Sequence, residues 1–208
     1  MITSFIKKYI LPEEIDFLSA LNEHAMVIKK ITDDLHKCFL TQNEKSCQSI
    51  LKDQHQAQEI RDSNMENLLN TFITPIDRES IYRVITQLDW IAISIRHFLI
   101  EAKAYDIYHL DTNYGMMIEK IQLQAELLTA GFKTVKSDAV KTAQSAKRIR
   151  ETYDELVDIY VAKMAELADS EDHKKIFAHK ELLFQLKEIS KRMRMSANSL
   201  EDIIMKMT

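Results

Sequence analysis

Apolar residues recur along this chain at three- and four-residue steps, the period of a helix that buries one face. Leu18, Leu21, Ala25, Ile28, Leu35 and Phe39 mark a first stripe, interrupted by Thr32. Ile50, Leu51, Ala57, Ile60, Leu68 and Phe72 mark a looser second one. The third is the most regular: Ile81, Val84, Ile85, Leu88, Ile91, Ala92, Ile95, Phe98, Leu99 and Ala102. Ile118, Ile121, Ala125, Leu128 and Phe132 give a fourth, Val140, Leu156, Ile159, Tyr160 and Leu167 a fifth. A sixth runs from Leu182 and Leu183 through Leu186, Ile189, Met193 and Ala197 to Ile204 and Met207. No stretch alternates with the period of a strand, so the pattern predicts an all-α fold of six long helices.

The boundaries follow from local chemistry. In Thr74-Pro75-Ile76-Asp77, Thr74 is placed to cap the third helix, Pro75 to take its first position and Asp77 to meet its positive end. Gly131 is expected to end the fourth helix. Asp169 or Ser170 is expected to cap the sixth, with Glu171 and Asp172 in its first turn. Connections this short make successive helices antiparallel. The third and sixth stripes also match: Val84, Ile85, Gln87, Leu88, Ile91 and Ile95 align with Leu182, Leu183, Gln185, Leu186, Ile189 and Met193. A single domain made of two three-helix halves, about residues 10–108 and 111–208, accounts for the match.

Composition sharpens this picture. The 208 residues include only two glycines and two prolines, too few for a fold rich in turns, and 46% are apolar, enough for a core. A net charge of −4 argues against a nucleic-acid binder. Beyond Leu110 the chain is balanced, with 16 basic and 16 acidic residues. The first ten residues have the look of a short amphipathic arm rather than a signal peptide. No apolar run approaches the length that spans a bilayer. A cytoplasmic protein, peripheral at most to the inner face of a membrane, is the expectation, with Cys38 and Cys47 as reduced thiols flanking a turn.

Candidate chemistry is sparse. Glycines at 115 and 131 alone build no phosphate loop, and no histidine lies three residues after a glutamate, as a di-iron bundle would require. Asp33/His36 and Asp106/His109 are the nearest substitutes, and His55 and Glu59 read as a surface pair. Glu151, Asp154, Glu155 and Asp158 stack one turn apart on the fifth helix, an arrangement that either chelates a cation or faces water beside Lys147, Arg148 and Arg150. No enzyme activity and no cofactor are expected.

The segment Phe72-Ile-Thr-Pro-Ile-Asp-Arg-Glu-Ser-Ile81, followed by Leu88-Asp89, resembles the hallmark of one branch of the PhoU-like family. That branch comprises phosphate-transport regulators, the accessory proteins of low-affinity inorganic phosphate (Pit) transporters. The resemblance rests on Thr74, Pro75, Asp77, Arg78, Glu79 and Asp89. It implies a six-helix bundle of two halves and a partner that is a membrane phosphate transporter or a signalling protein. Some members of the wider family hold multinuclear metal clusters on acidic pairs spaced i, i+4. Here those positions read Gln54 and Gln58, Asp89 and Ile93, Glu151 and Glu155, and Lys187 and Lys191; a shifted alignment makes Asp62 and Glu66 a pair. Two ammonium groups in place of two carboxylates supply the charge a metal would bring. These departures from the family pattern lead to the expectation of no metal, with Glu151 and Glu155 pairing with Lys187 and Lys191 across the last two helices. The alternatives are that the two lysines face water, that ligands at shifted positions hold a metal, or that the bundle is a diverged scaffold for another partner. The basic stripe Lys180, Lys187, Lys191 and Arg194 reads as a solvated face, with an anionic partner or a membrane surface as the alternative. The Met-rich end (Met193, Met195, Met205, Met207) is adaptable enough for an interface, a second copy of the chain included.

Overall fold

The computed structural model describes residues 15–107 and 112–207, with the side chains of 112 and 113 left aside. The amphipathic arm at residues 1–10, His109 and the outer limits of the two expected halves lie outside the described residues. Six helices follow in order: α1 Phe17–Leu40, α2 Glu44–Asn70, α3 Arg78–Ala104, α4 Thr112–Thr134, α5 Ala139–Ala168 and α6 His173–Met207. There is no strand among the described residues.

Short polar side chains start these helices. Asp16, Asn43, Asp77 and Asp138 accept hydrogen bonds from the backbone N–H of Ser19, Ser46, Ser80 and Lys141, each three residues on. Asp172 does the same for Lys175 at 3.0 Å. So α3 begins at Asp77 rather than at Thr74, whose segment with Pro75 stays outside the helix; α6 begins at Asp172 rather than at Asp169 or Ser170. Both expected starts were too early because a proline or serine upstream can begin a helix only if the next carboxylate does not cap it first. Scarce glycine has a cost at the turns, where Gln42 and Asp106 take positive φ values of 52° and 55°.

The two cysteines are joined. Cys38 near the end of α1 and Cys47 in the first turn of α2 form a disulfide, with Cα atoms 5.0 Å apart, which corrects the expectation of free thiols. Antiparallel packing across a three-residue turn brings these positions face to face.

Helix α1 packs on α2, α3 and α4, while α6 packs on α3, α4 and α5. Thus α1, α3, α6 and α4 form a four-helix centre, with α2 laid along α1 and α3 and α5 laid along α4 and α6. The buried positions repeat in register. Leu18, Leu21, Ala25 and Ile28 of α1 correspond to Ile118, Ile121, Ala125 and Leu128 of α4. In α2, Cys47, Ile50, Ala57 and Leu68 correspond to Ala146, Ile149, Leu156 and Leu167 of α5. In α3, Val84, Leu88, Ile91 and Ile95 correspond to Leu182, Leu186, Ile189 and Met193 of α6.

Gly131 lies inside α4, not at its end. A Cβ there would stand 2.6 Å from Leu200 Cδ2, so this glycine serves the close approach of α6. Met193, expected at an exposed end, is fully buried, whereas Met195, Met205 and Met207 are exposed.

Candidate functional site

The segment of residues 72–81, on which the resemblance rests, forms a corner at one end of the bundle. Ile76 is buried and anchors it, while Phe72 and Ile73 are 96% and 80% exposed. Asp77 accepts from Ser80 N at 3.0 Å and from Lys206 Nζ at 3.0 Å. Lys206 also reaches Asp202 at 2.9 Å, and Ser80 Oγ donates to Asp202 at 2.6 Å, so the start of α3 is tied to the end of α6. The Lys206 ammonium and the Ser80 donors hold the Asp77 carboxyl down to about 2. The Arg78 guanidinium donates to the carbonyls of Leu68 and Thr71, the open end of α2. Glu79 pairs with Arg83 one turn on. Beside the corner opens a cleft of about 430 Å³ lined by Met65, Leu68, Leu69, Arg78, Glu79 and Tyr82. Asp77 and Arg78 thus tie the corner to α6 and α2, whereas Glu79 pairs within α3 and Thr74 and Pro75 lie in the loop after Phe72 and Ile73.

Asp89 lies apart from this corner, on α3 against α2. Its carboxylate faces Arg61 Nε at 3.7 Å, an ion pair too long for a hydrogen bond. Burial pushes the Asp89 carboxyl up from its ordinary value, against the lowering effect of Arg61. Arg61 belongs to the sequence Cys47, Ile50, Gln54, Ala57, Arg61, Asn64, Leu68, a three–four seam on α2. Gln54 and Asn64 on that seam are buried and Gln58 is half-buried.

In the second half the expected pairing does not form. Glu155 meets Lys120 of α4 and, at 2.7 Å, Arg148 of its own helix. Glu151 meets Arg148 at 3.4 Å and Lys147 at 3.8 Å. These carboxylates lie on the side of α5 that faces α4. The side facing α6 carries Arg150, bound to Glu201 at 2.6 Å, and the rings of Tyr153 and Tyr160. Lys187 stands over the Tyr160 ring at 4.3 Å from its centroid and over Phe184 at 5.0 Å. Lys191 pairs with Glu188 at 3.3 Å. Half a turn of helix separates the expected partners. Arg61 and Lys120 were not singled out in the sequence; the seam of α2 points to Arg61, but nothing local points to Lys120.

The register of the repeat explains the exchange. Asp89 and Lys187 occupy the same place in the two halves, as do Arg61 and Tyr160. One half opposes a carboxylate to a guanidinium, and the other opposes an ammonium to a ring. In both, a protein cation stands at the contact of the outer helix with its neighbour. A metal cluster needs converging anionic ligands, and among the described residues no three of His, Cys, Asp and Glu converge to hold an ion. The donor set therefore does not fit the clusters of the wider family.

No protein-family model matches the sequence, and no curated protein matches it. Solved structures do match. A PhoU-like protein from Shewanella oneidensis MR-1 superposes with a TM-score of 0.79 at 10% identity, over 91% of this chain and 99% of that one. The fold is PhoU-like. A second structure, of a candidate PhoU-like phosphate regulatory protein from the same organism, gives a TM-score of 0.77 at 10% identity, over 91% of this chain and 99% of that one. The PhoU-like fold accounts for the six-helix bundle. At this identity it leaves the side chains of the site to be read from this chain alone. No described helix is long and apolar enough to cross a membrane.

Proposed function

We propose that this protein is a non-enzymatic accessory or regulatory protein of inorganic phosphate transport. It acts from the cytoplasmic side by docking a helical face onto a membrane transporter or a signalling partner. The observation that carries this reading is the PhoU-like fold over 91% of the chain, together with a second neighbour named as a candidate phosphate regulatory protein. The signature at Thr74–Glu79 supports it, since its residues form a corner that displays Phe72 and Ile73 to solvent. Protein cations at the two outer-helix contacts support a mode of action by binding surfaces rather than by a metal centre. Deleting the gene in its host and measuring uptake of radiolabelled phosphate tests the proposal. A changed uptake rate that the intact gene restores, with sulfate uptake unaltered, is the expected result. Unchanged phosphate uptake favours the other reading, a helical scaffold with the same bundle and a different partner.

A further inference from the structure

Helix α6 carries a second stripe besides its buried one. Along its solvent side Phe177, Lys180, Phe184, Lys187, Lys191 and Arg194 follow at alternating three- and four-residue steps. That is the spacing by which one helix offers a seam to another. Phe177 is 66% exposed and Phe184 42%, although neighbouring helices cover the opposite side of α6 completely. Exposed apolar rings on such a seam mark an interaction surface.

The charge on this seam is concentrated and held in place. Residues 173–195 contain seven Lys and Arg against two Glu, a net +5 within a chain of net −4. Lys187 rests on Phe184 and Tyr160, and Arg194 lies over the Tyr153 ring at 5.1 Å from its centroid. Beside them Arg192 lies over Trp90 at 4.8 Å. Stacking on a ring positions a cation without neutralising it, so the field it presents outward remains positive. Between α3 and α6 the seam is bordered by a hollow of about 140 Å³ lined by Ser94, His97, Glu101, Phe184, Gln185 and Glu188, whose two carboxylates suit a neutral or basic side chain of the partner rather than an acidic one.

We propose that this ridge docks an acidic amphipathic helix of a partner protein. The partner's apolar residues would pack on Phe177 and Phe184, and its carboxylates would face Lys180, Lys187, Lys191 and Arg194. The inference rests on the regulatory reading above and gives the partner its chemistry. A helix fits better than an anionic bilayer because Glu181 and Glu188 lie within the same stretch, Glu188 paired with Lys191. A uniform sheet of phosphate headgroups repels both, whereas a helix of defined sequence leaves them opposite neutral or basic groups.

Replacing Phe184 with a photoreactive benzoylphenylalanine in the full-length chain, in its own host, tests the ridge; the same probe at Met26, exposed on α1, is the control. Irradiation is expected to give a product at 184 and none at 26, with a crosslinked segment that is acidic and has three–four apolar spacing. The Lys180→Glu/Lys191→Glu variant, with an unchanged circular dichroism spectrum, is expected to lower that yield about tenfold. No product at 184, an equal product at 26, or a neutral or basic segment overturns the proposal. So does co-sedimentation with phosphatidylserine–phosphatidylcholine vesicles that the same double variant abolishes, since the occupant is then lipid. Altered phosphate uptake on gene deletion with no product at 184 leaves the regulatory reading standing and removes this surface. A product with the expected sequence and unaltered uptake does the reverse.

Discussion

Lys187 stands 4.3 Å from the centroid of the Tyr160 ring, at the place in the second half where Asp89 stands against Arg61 in the first. One position in a repeated bundle thus holds opposite charges, each matched by its neighbour on the outer helix. The match is not equally good. Burial raises the Asp89 carboxyl above its ordinary value, so its ionised form is less favourable in the folded chain than in the unfolded one. A raised carboxyl binds its proton more readily when folded, and folding is therefore favoured as pH falls through that value and disfavoured above it. Asp89→Asn, which keeps the shape and removes the charge, is expected to be neutral or stabilising at pH 7, since Arg61 keeps Asp62 at 3.1 Å. Urea unfolding of both proteins at pH 7.5 and 4.5 checks this. The difference should shrink toward the lower pH, and a large loss at pH 7.5 would show that the Arg61 pair outweighs desolvation.

The buried centre shows a second asymmetry. His24 of α1 and Gln124 of α4 occupy equivalent places and are both fully buried. Gln124 donates to the Ile149 carbonyl at 3.1 Å and accepts from Ser190 Oγ at 2.8 Å, joining three helices. The counterpart of Ser190 in the first half is Ala92, and neither ring nitrogen of His24 has a partner. Supplying the missing hydroxyl should restore the second half's arrangement. His24→Gln alone is expected to destabilise, and adding Ala92→Ser to recover about 1–2 kcal/mol, measured as a double-mutant coupling. Additive effects would show that the two halves differ in backbone spacing here.

The same histidine predicts a pH response. Desolvation first, and Arg61 second, hold His24 down to about 4, against an unfolded value of 6.5. The unfolded chain takes up that proton at higher pH than the folded one, so stability is lost as pH falls from 6.5 toward 4. Up to about 3 kcal/mol is at stake for a fully buried ring. Native protein should therefore lose more stability between pH 7 and 4.5 than His24→Gln does. Equal slopes would mean that the ring is solvated or paired.

How much of this was legible in the sequence depends on the range of each interaction. The stripes of α1 through α6 depend on spacing along one helix, and the structure buries most of their residues. Phe72 falls beyond the end of α2, and Leu51, Val140 and Met207 face solvent, because spacing alone does not say where a stripe stops. Helix starts depend on competition among near neighbours, which is why Asp77 and Asp172 displaced Thr74 and Ser170. Gly131 looked like a terminator because its use, room for Leu200, lies on a different helix. The repeat was visible only through α3 and α6; the match of α2 with α5 is hidden because Gln54, Arg61 and Asn64 break the apolar pattern of α2. The pairing of Glu155 with Lys187 failed for the same reason. Spacing gives the face of a residue on its own helix, but not which neighbour covers that face.

That corrected pairing has a direct test. Glu155 is about one-third exposed and bridges to Lys120 of α4 and Arg148 of α5, which together hold its carboxyl below the ordinary value, with Lys120 the larger cause. A double-mutant cycle between Lys120→Met and Glu155→Gln should give a coupling of about 0.5 kcal/mol, the size of a solvent-screened pair. The cycle between Lys187→Met and Glu155→Gln should give none. A larger coupling in the second cycle than in the first would reinstate the pairing across α5 and α6.

The disulfide gives the prediction with the widest reach. Cys38 and Cys47 close a loop across the α1–α2 turn with a sequence separation of 9, and both are buried. A bridge over so short a loop restricts the unfolded chain by about 2–3 kcal/mol on the chain-entropy account. Cys38→Ser/Cys47→Ser should lose about that much in unfolding free energy, and native protein in dithiothreitol should match it. Reductant should leave the double variant unchanged, while equal stability of native protein with and without reductant would mean that the bridge is absent. The cell supplies a second measurement, because a reducing cytoplasm opposes bridges of this kind. Acid-quenching intact cells and alkylating the denatured chain counts its free thiols. Under the proposed cytoplasmic function both cysteines are expected to be labelled in the cell and to join once the protein is purified in air. An unlabelled pair would place the chain in an oxidising compartment, and the face it offers to a transporter would then lie on the opposite side of the membrane.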